Sequence, residues 1–304
     1  MFGRTLMTLG LAALLAAPAY AGFGLILPDS PLVDDPEKTS LNLVICAIDP
    51  ATGEGIPLER PQVFTALRSS GETVDRSEHL SVLEEINAFG ARAWTTNIVL
   101  PHPGAYQFIM QTKTGWLPDQ DKFVQHIVKV QVPAYGSSEG WDKPAGISFE
   151  ITPLTRPFGQ CSGMSFTGQV LFDGKPLPGA IVDAAYLDPV FKPNVTQPED
   201  PNAPPQDDAD NTGKADKTDK TSPKKKDNAP VPQPVSAFGD VQQVKTDALG
   251  GFTFVCPHPG WWAFSTSTVG DPLQDPEGKQ KPLEIKTIFW IYVSDCAKPA
   301  PGKK

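Results

Sequence analysis

The chain has few of the residues on which most enzyme sites depend. Its 304 residues include only four cysteines, four histidines and four methionines. The sequence has no Walker loop, dinucleotide fingerprint, HExxH zinc motif or EF-hand loop. Residues 159–163 have the G-x-C-x-G spelling of a nucleophile elbow, but no neighbouring helical pattern supplies the strand-turn-helix that an elbow needs. We therefore expect a protein that is not an enzyme.

Long hydrophobic runs are absent except at the N-terminus. Arg4 precedes an apolar run over residues 6–17, and residues 19–21 read Ala-Tyr-Ala, the small-x-small pattern of a signal-peptidase site. The run is too short to cross a bilayer, and no cysteine follows it to carry a lipid. We expect residues 1–21 to be a cleaved signal peptide and the mature protein to be periplasmic, without a membrane span.

Basic residues are outnumbered, with 26 Lys and Arg against 35 Asp and Glu and a formal net charge of −9. Binding to nucleic-acid phosphates needs a basic stripe. The one lysine run, residues 224–226, lies beside many aspartates. This balance excludes nucleic acid as the expected partner.

A sustained helical period is also missing, and short alternating apolar runs recur between the turns formed by 33 prolines and 26 glycines. The alternation is clearest over residues 41–45, 106–110, 122–132 and 285–293. This pattern predicts an all-β protein made of two tandem sandwiches of Ig-like or transthyretin-like type. Residues 77–89 fit either a helix or a loop followed by a strand.

The two sandwiches are expected over residues 22–155 and 156–297, with a tail over 298–304. Residues 189–234 are rich in Pro, Asp, Asn, Lys and Thr and poor in large apolar side chains. Such a segment cannot bury enough surface to offset the entropy of ordering, so we expect a disordered insertion in the second domain.

A short motif occurs in both halves. Residues 101–108 read PHPGAYQF, and residues 257–264 read PHPGWWAF. In each, a Pro- and Gly-closed turn leads into an aromatic-rich strand. The repeat indicates two units of similar plan.

Four cysteines in an exported chain favour disulfides over thiolate metal sites, and no CxxC spacing occurs. Cys256 and Cys296 each end a predicted strand, and both strands would end at the same side of a sandwich. We therefore predict a Cys256–Cys296 disulfide, which leaves Cys46 to pair with Cys161. Free buried thiols are the alternative.

His126 is the strongest candidate metal ligand, because imidazole binds nickel, cobalt, copper and zinc and because Asp119 and Asp121 lie just before it. The rest of its strand face is valine, so a hydrogen-bonded core histidine is the alternative. His102 and His258 occupy the matching turns and are weaker candidate ligands, with simple exposure as the alternative.

The tryptophans are candidate partner-binding residues. Trp261 and Trp262 are neighbours on a predicted strand and so point to opposite faces. At least one of them is then exposed or covered by a neighbouring domain. With Trp116 and Trp141 they would serve either a protein partner or packing between domains.

Two family resemblances add to these predictions. Residues 168–180, GQVLFDGKPLPGA, resemble carboxypeptidase-regulatory-like modules, which implies a small transthyretin-like sandwich. A wider resemblance rests on Phe123, His126 and a set of motifs, namely FGLILP at 23–28, GW at 115–116, EGWD at 139–142, PLTRPFG at 153–159, FTGQVLFDGKP at 166–176 and GWW at 260–262. These resemble a periplasmic family of unknown-function domains described as the periplasmic component of nickel/cobalt ABC-type uptake systems.

The wider resemblance implies a nickel or cobalt ion as ligand and a membrane metal permease as partner. His126 matches a recurrent histidine of that family. Family members often begin the mature chain with a histidine before the Phe-Gly pair, whereas this chain has Gly22 there. An N-terminal metal clamp would therefore lack its imidazole, and the Gly22 amine is a weaker candidate ligand.

Two functions follow from these observations. The first is an exported accessory protein of nickel or cobalt uptake, with His126 and Asp119 or Asp121 as ligands. The alternative is a structural or adhesive sandwich that binds a protein partner without metal. Convergence of any two of His79, His102, His126 and His258 within about 5 Å of each other and of a carboxylate would favour the first. A lone His126 among valines would favour the second.

Overall fold

The computed structural model describes residues 22–35, 37–70, 73–78, 82–188, 192–197, 238–239 and 241–296, with only the backbone described for residues 70 and 73–78. The predicted signal peptide, most of the predicted insertion over 189–234 and the tail lie outside these ranges. His79 lies outside them as well.

The regular structure of the described residues is almost entirely β-strand, with a short 3-10 helix over Pro118–Gln120, which confirms the all-β prediction. The strands are β1 Phe23–Pro28, β2 Ser40–Ile48, β3 Gly55–Ile56, β4 Val63–Ser70, β5 Thr73–Glu78, β6 Glu84–Ala88, β7 Ala91–Val99, β8 Gly104–Gln111, β9 Gly115–Leu117, β10 Lys122–Ala134, β11 Phe149–Pro153, β12 Gln160–Cys161, β13 Ser165–Phe172, β14 Lys175–Pro176, β15 Ile181–Leu187, β16 Gln242–Lys245, β17 Gly251–Val255, β18 Gly260–Gln274 and β19 Gln280–Ser294. For the ambiguous residues 77–89, β6 supports the loop-and-strand alternative. None of the described segments is a helix long and apolar enough to cross a membrane.

A ten-stranded central sheet runs through both predicted domains. Its order is β16-β15-β18-β19-β10-β8-β4-β5, with β9 paired to β10 and β12 paired to β19. The two halves of the chain meet where β10 and β19 pair in parallel, from Phe123 opposite Leu283 to Val130 opposite Trp290. The predicted boundary between residues 155 and 156 stays a prediction, and the strands on its two sides belong to one sheet.

Two smaller sheets cover the two faces of the central sheet. The first has the order β1-β2-β7-β6 with β3 on β2, and the second has the order β11-β13-β14 with β17 on β13. Because successive side chains on a strand alternate between faces, Val128 and Val130 of β10 join the apolar cluster under the first sheet, whereas Ile127 joins the cluster under the second. The three sheets therefore stack in layers, with the ten-stranded sheet in the middle.

The Phe-Gly pair at the start of β1 has a packing role. A Cβ at Gly24 would lie 2.7 Å from Cγ2 of Val128, so only glycine lets β1 approach β10 this closely. The indole N–H of Trp290 donates to the Gly24 carbonyl at 3.0 Å, and the Phe23 ring meets the Trp290 ring edge-on at 5.7 Å. These contacts anchor the first described residues of the chain on the central sheet.

The repeated Pro-His-Pro-Gly motif forms two equivalent turns, as predicted. One precedes β8 and the other precedes β18, and in both the aromatic residue four positions after the histidine hydrogen-bonds back to it. The Tyr106 hydroxyl donates to the His102 carbonyl at 2.9 Å, and the Trp262 indole N–H donates to the His258 carbonyl at 2.9 Å. The histidine main chain thus closes each turn.

The disulfide joins Cys161 to Cys296, with Cα atoms 5.5 Å apart, so the predicted pairing of Cys256 with Cys296 is wrong. The predicted pairing of Cys46 with Cys161 fails with it, since Cys46 and Cys256 are buried free thiols. The reason is topological. β17, which leads to Cys256, belongs to the second small sheet, whereas β12 pairs with the end of β19 and brings Cys161 beside Cys296.

Candidate functional site

The candidate site is a small pocket between β10 and β19, referred to below as the His126 pocket. Parallel pairing sets Val124 opposite Glu284 and His126 opposite Lys286. The pocket has a volume of about 190 Å³ and is lined by Gly22, Leu117, Gln120, Lys122, Val124, His126, Glu284 and Lys286. It therefore combines the predicted histidine with charged side chains from the other half of the chain.

His126 is held by its backbone and not by its ring. Its side chain is 5% exposed. The His126 backbone N–H donates to the Thr112 hydroxyl at 2.9 Å, and its carbonyl accepts from the Thr112 N–H at 2.9 Å. Among the described residues, no side-chain hydrogen bond is formed by the imidazole. Burial, aided by the charge of Lys286, lowers the pKa of His126 to about 4, so the ring is neutral near pH 7.

The other charges of the pocket partly balance one another. The Glu284 carboxylate accepts from the Lys122 ammonium at 2.6 Å. Burial raises the pKa of Glu284, but the hydrogen bond and charge of Lys122 outweigh burial and leave that pKa below its usual range. The Lys286 ammonium lies 5.3 Å from the centre of the Phe23 ring, and burial lowers its pKa. Two ammonium groups and one carboxylate thus surround a neutral imidazole.

The predicted aspartate ligands lie outside the pocket. Asp119 and Asp121 are exposed, and the Asp121 carboxylate pairs with the Lys281 ammonium at 2.5 Å. Gln120, which stands between them in the sequence, lines the pocket instead. Across the described ranges, no three His, Cys, Asp or Glu side chains form a group that could hold a metal ion.

The two turn histidines are exposed at the turns that their backbones close. His102 and His258 each accept a hydrogen bond through the carbonyl, and the His258 ring lies 5.5 Å from the Tyr186 ring. Neither lines the His126 pocket, so among the described residues the expected convergence of two histidines and a carboxylate is not found. Glu284 and Lys286 were missed from the sequence, because parallel pairing of β10 with a strand some 160 positions away leaves no local signal.

A second concave feature lies between the first small sheet and the central sheet, and we refer to it as the Trp261 groove. Its volume is about 800 Å³, and it is lined by Leu27, Pro28, Asp29, Asn42, Val44, Leu187, Asp188, Lys192, Pro193, Pro259, Gly260, Trp261, Tyr292 and Asp295. Trp261 and Tyr292 are directly opposite on β18 and β19, with ring centres 5.2 Å apart.

The four predicted partner-binding tryptophans are distributed over different environments. Trp261 and Trp262 do face opposite ways, since Trp262 is buried in the second apolar cluster and half-buried Trp261 lines the groove. Trp116 packs on Phe123 with ring centres 4.8 Å apart. Trp141 is half-buried, and its carbonyl accepts from the Gln131 side chain. Trp261 alone of the four contributes to the groove.

Comparison with known proteins gives a family and little more. The family model described as "Domain of unknown function (DUF4198)" matches residues 19–270. No curated protein matches the chain. Among solved structures, the crystal structure of dimeric latent PorU from Porphyromonas gingivalis is similar at 10% identity and a TM-score of 0.18, over 91% of this chain and 20% of that one. A likeness this weak carries no functional argument.

Proposed function

We propose that this chain, which belongs to the DUF4198 family of unknown-function domains, is an exported non-enzymatic protein that binds a nickel or cobalt ion for delivery to a membrane permease. One observation carries the proposal. Gly22, the residue after the predicted signal-peptidase site, lines the same pocket as His126 and Glu284. Removal of the signal peptide would release the α-amine of Gly22 into that pocket.

The resulting donor set suits a late divalent transition metal. An amine nitrogen, an imidazole nitrogen and a carboxylate oxygen are ligands that nickel and cobalt accept. The His126 ring is already neutral near pH 7, so no proton must leave it before it binds the ion. Because the third donor belongs to the main chain, the proposed site needs only two ligating side chains, His126 and Glu284. Glu284 takes the role expected of Asp119 or Asp121.

The two lysines limit the affinity. Lys122 and Lys286 line the pocket, and their ammonium groups repel a divalent cation. The ion pair with Glu284 offsets the charge of Lys122, and burial lowers the pKa of Lys286. We expect a dissociation constant on the order of micromolar rather than nanomolar.

Glycine at the first mature position also has a steric basis. A Cβ at Gly22 would lie 3.1 Å from Cδ1 of Ile56, so a larger residue requires Ile56 to move. The chain therefore offers the metal an amine there without a side-chain ligand.

The test is isothermal titration of Ni²⁺ and Co²⁺ into the protein that begins at Gly22, with its N-terminus verified by mass spectrometry. The matched control retains residues 19–21, which removes the amine from the pocket and leaves every side chain in place. We expect binding by the mature form, its loss in the extended form and in His126→Gln, and roughly tenfold tighter binding in Lys286→Met because a like charge is removed.

Two results would overturn the proposal. One is the absence of metal binding by the mature protein, and the other is equal binding by the extended protein. Thermal unfolding of each variant would show that a loss of binding does not reflect a loss of folding.

A further inference from the structure

We infer that the Trp261 groove is a docking site for an extended segment of a partner protein that carries arginine or lysine side chains. This inference concerns a different surface from the His126 pocket and does not depend on metal binding. It rests on the shape, the aromatic pair and the charge of the groove.

The shape fits a segment of polypeptide and not a flat contact. A volume of about 800 Å³ lies within the range of well-formed ligand sites and accommodates several side chains. Three of the lining residues, Pro28, Pro193 and Pro259, have φ fixed by their rings. A fixed φ at these positions reduces the conformational entropy that the lining residues lose when a ligand orders against them.

The aromatic pair supplies a surface that favours cations. Trp261 and Tyr292 are both half-buried, and their edge-to-face arrangement leaves ring surface within the groove. Indole and phenol faces attract ammonium and guanidinium groups, most strongly where water is partly excluded. The aliphatic stems of lysine and arginine pack on the same rings.

The charge of the groove selects the sign of the ligand. Among the described residues that line it, Asp29, Asp188 and Asp295 stand against one cation, Lys192. Asn42 holds the Asp29 carboxylate in place, since its backbone N–H donates at 3.2 Å and its side-chain amide donates at 3.1 Å. The formal net charge of the whole chain is −9, so its long-range field also attracts a basic partner.

Charge also argues against a second copy of this chain as the occupant. A symmetric contact would bring the same three aspartates of two copies together, and each copy carries the same negative net charge. Like charges across an interface disfavour association. The observations therefore favour a basic segment of a different protein.

The test uses the full mature chain and two short acetylated peptides, one alternating arginine with leucine and one with glutamate in place of each arginine. We expect the arginine peptide to bind with a dissociation constant of roughly tens of micromolar, more weakly as salt is raised, and the glutamate peptide not to bind. Trp261→Ala should weaken binding roughly tenfold, and Asp188→Asn should weaken it about threefold. Trp116→Ala, which alters a tryptophan outside the groove, should bind like the unaltered protein.

Several results would overturn the inference. Equal binding of both peptides would show an apolar surface without charge selection, and no binding of either would show no docking site of this chemistry. Free L-arginine binding as tightly as the peptide would indicate a small-molecule site. Sedimentation that shows a dimer dissociated by Trp261→Ala would assign the groove to self-association. The conservative Asp188→Asn variant keeps the test valid if Trp261→Ala fails to fold.

Discussion

Two buried polar side chains, Lys129 and His126, lie on the same strand and have opposite surroundings. Lys129 is 1% exposed and faces the second small sheet, where its ammonium donates to the Glu150 carboxylate at 3.0 Å. That carboxylate also accepts from the backbone N–H groups of Ala145 and Gly146. His126 is 5% exposed on the other face of the strand, and its ring borders a pocket.

The difference separates a structural polar group from a functional candidate. At Lys129 the protein itself supplies the counter-charge through Glu150, so the buried charge is balanced within the fold. At His126, the described residues supply no hydrogen-bond partner for the ring, and the space beside it can admit one. Burial of a polar side chain alone therefore does not mark a site, whereas burial beside an open pocket does.

The largest predicted effect tests the buried ion pair of Lys129 with Glu150. Lys129→Met removes the counter-charge of Glu150 and leaves a buried carboxylate unpaired, which should lower the free energy of unfolding by about 3–5 kcal/mol. Chemical denaturation measures it. The control is Lys279→Met, which breaks the exposed ion pair with Glu277 and should change stability by less than about 1 kcal/mol. Similar losses in the two variants would contradict the comparison.

The next effect concerns His126, whose ring borders the pocket, and the dependence of stability on pH. The pKa of His126 is about 4 in the folded protein against the ordinary histidine value of 6.5, so the unfolded chain takes up the proton first as pH falls. The contribution of the neutral His126 ring to the free energy of unfolding is fully present above pH 6.5. It is lost as pH falls towards 4, by about 3 kcal/mol in total.

The measurement is the free energy of unfolding at about pH 7 and about pH 4, in EDTA, for the unaltered protein and for His126→Gln. The variant should lose less stability over that interval, because it carries no imidazole to protonate. Parallel curves for the two proteins would show that His126 is not the group responsible.

The smallest effect tests the close contact between β1 and β10 at Gly24. Gly24→Ala places a methyl group 2.7 Å from Cγ2 of Val128, so it should destabilise the fold by about 1–3 kcal/mol. Because β1 would be displaced, Gly22 would move and metal binding should weaken as well. Gly115→Ala is the control, since a Cβ there meets no atom within 4 Å. Equal stability of the two variants would show that β1 does not need this close approach.

Local patterns predicted the strands well. Alternation over residues 122–132 and 285–293 predicted what became β10 and β19, and the Pro-His-Pro-Gly spelling predicted the turns before β8 and β18. The opposite orientation of Trp261 and Trp262 followed from the two-residue period of a strand. Each of these predictions depends on neighbours in the chain.

Long-range pairings could not be predicted in this way. The Cys161–Cys296 disulfide depends on β12 joining the end of β19, and the His126 pocket depends on β19 lying beside β10. Glu284 shows no unusual pattern in the sequence. Its place near His126 is a consequence of sheet order, which no local spacing specifies.

The sequence by itself therefore determined the all-β class, the strand periods and the turns, because these depend on backbone preferences and side-chain alternation over a few residues. The tertiary structure decided the disulfide pairing, the residues that surround His126 and the presence of the Trp261 groove. These arise where segments far apart in the chain are brought together by burial of apolar faces, and that burial is non-directional and leaves no local mark in the sequence.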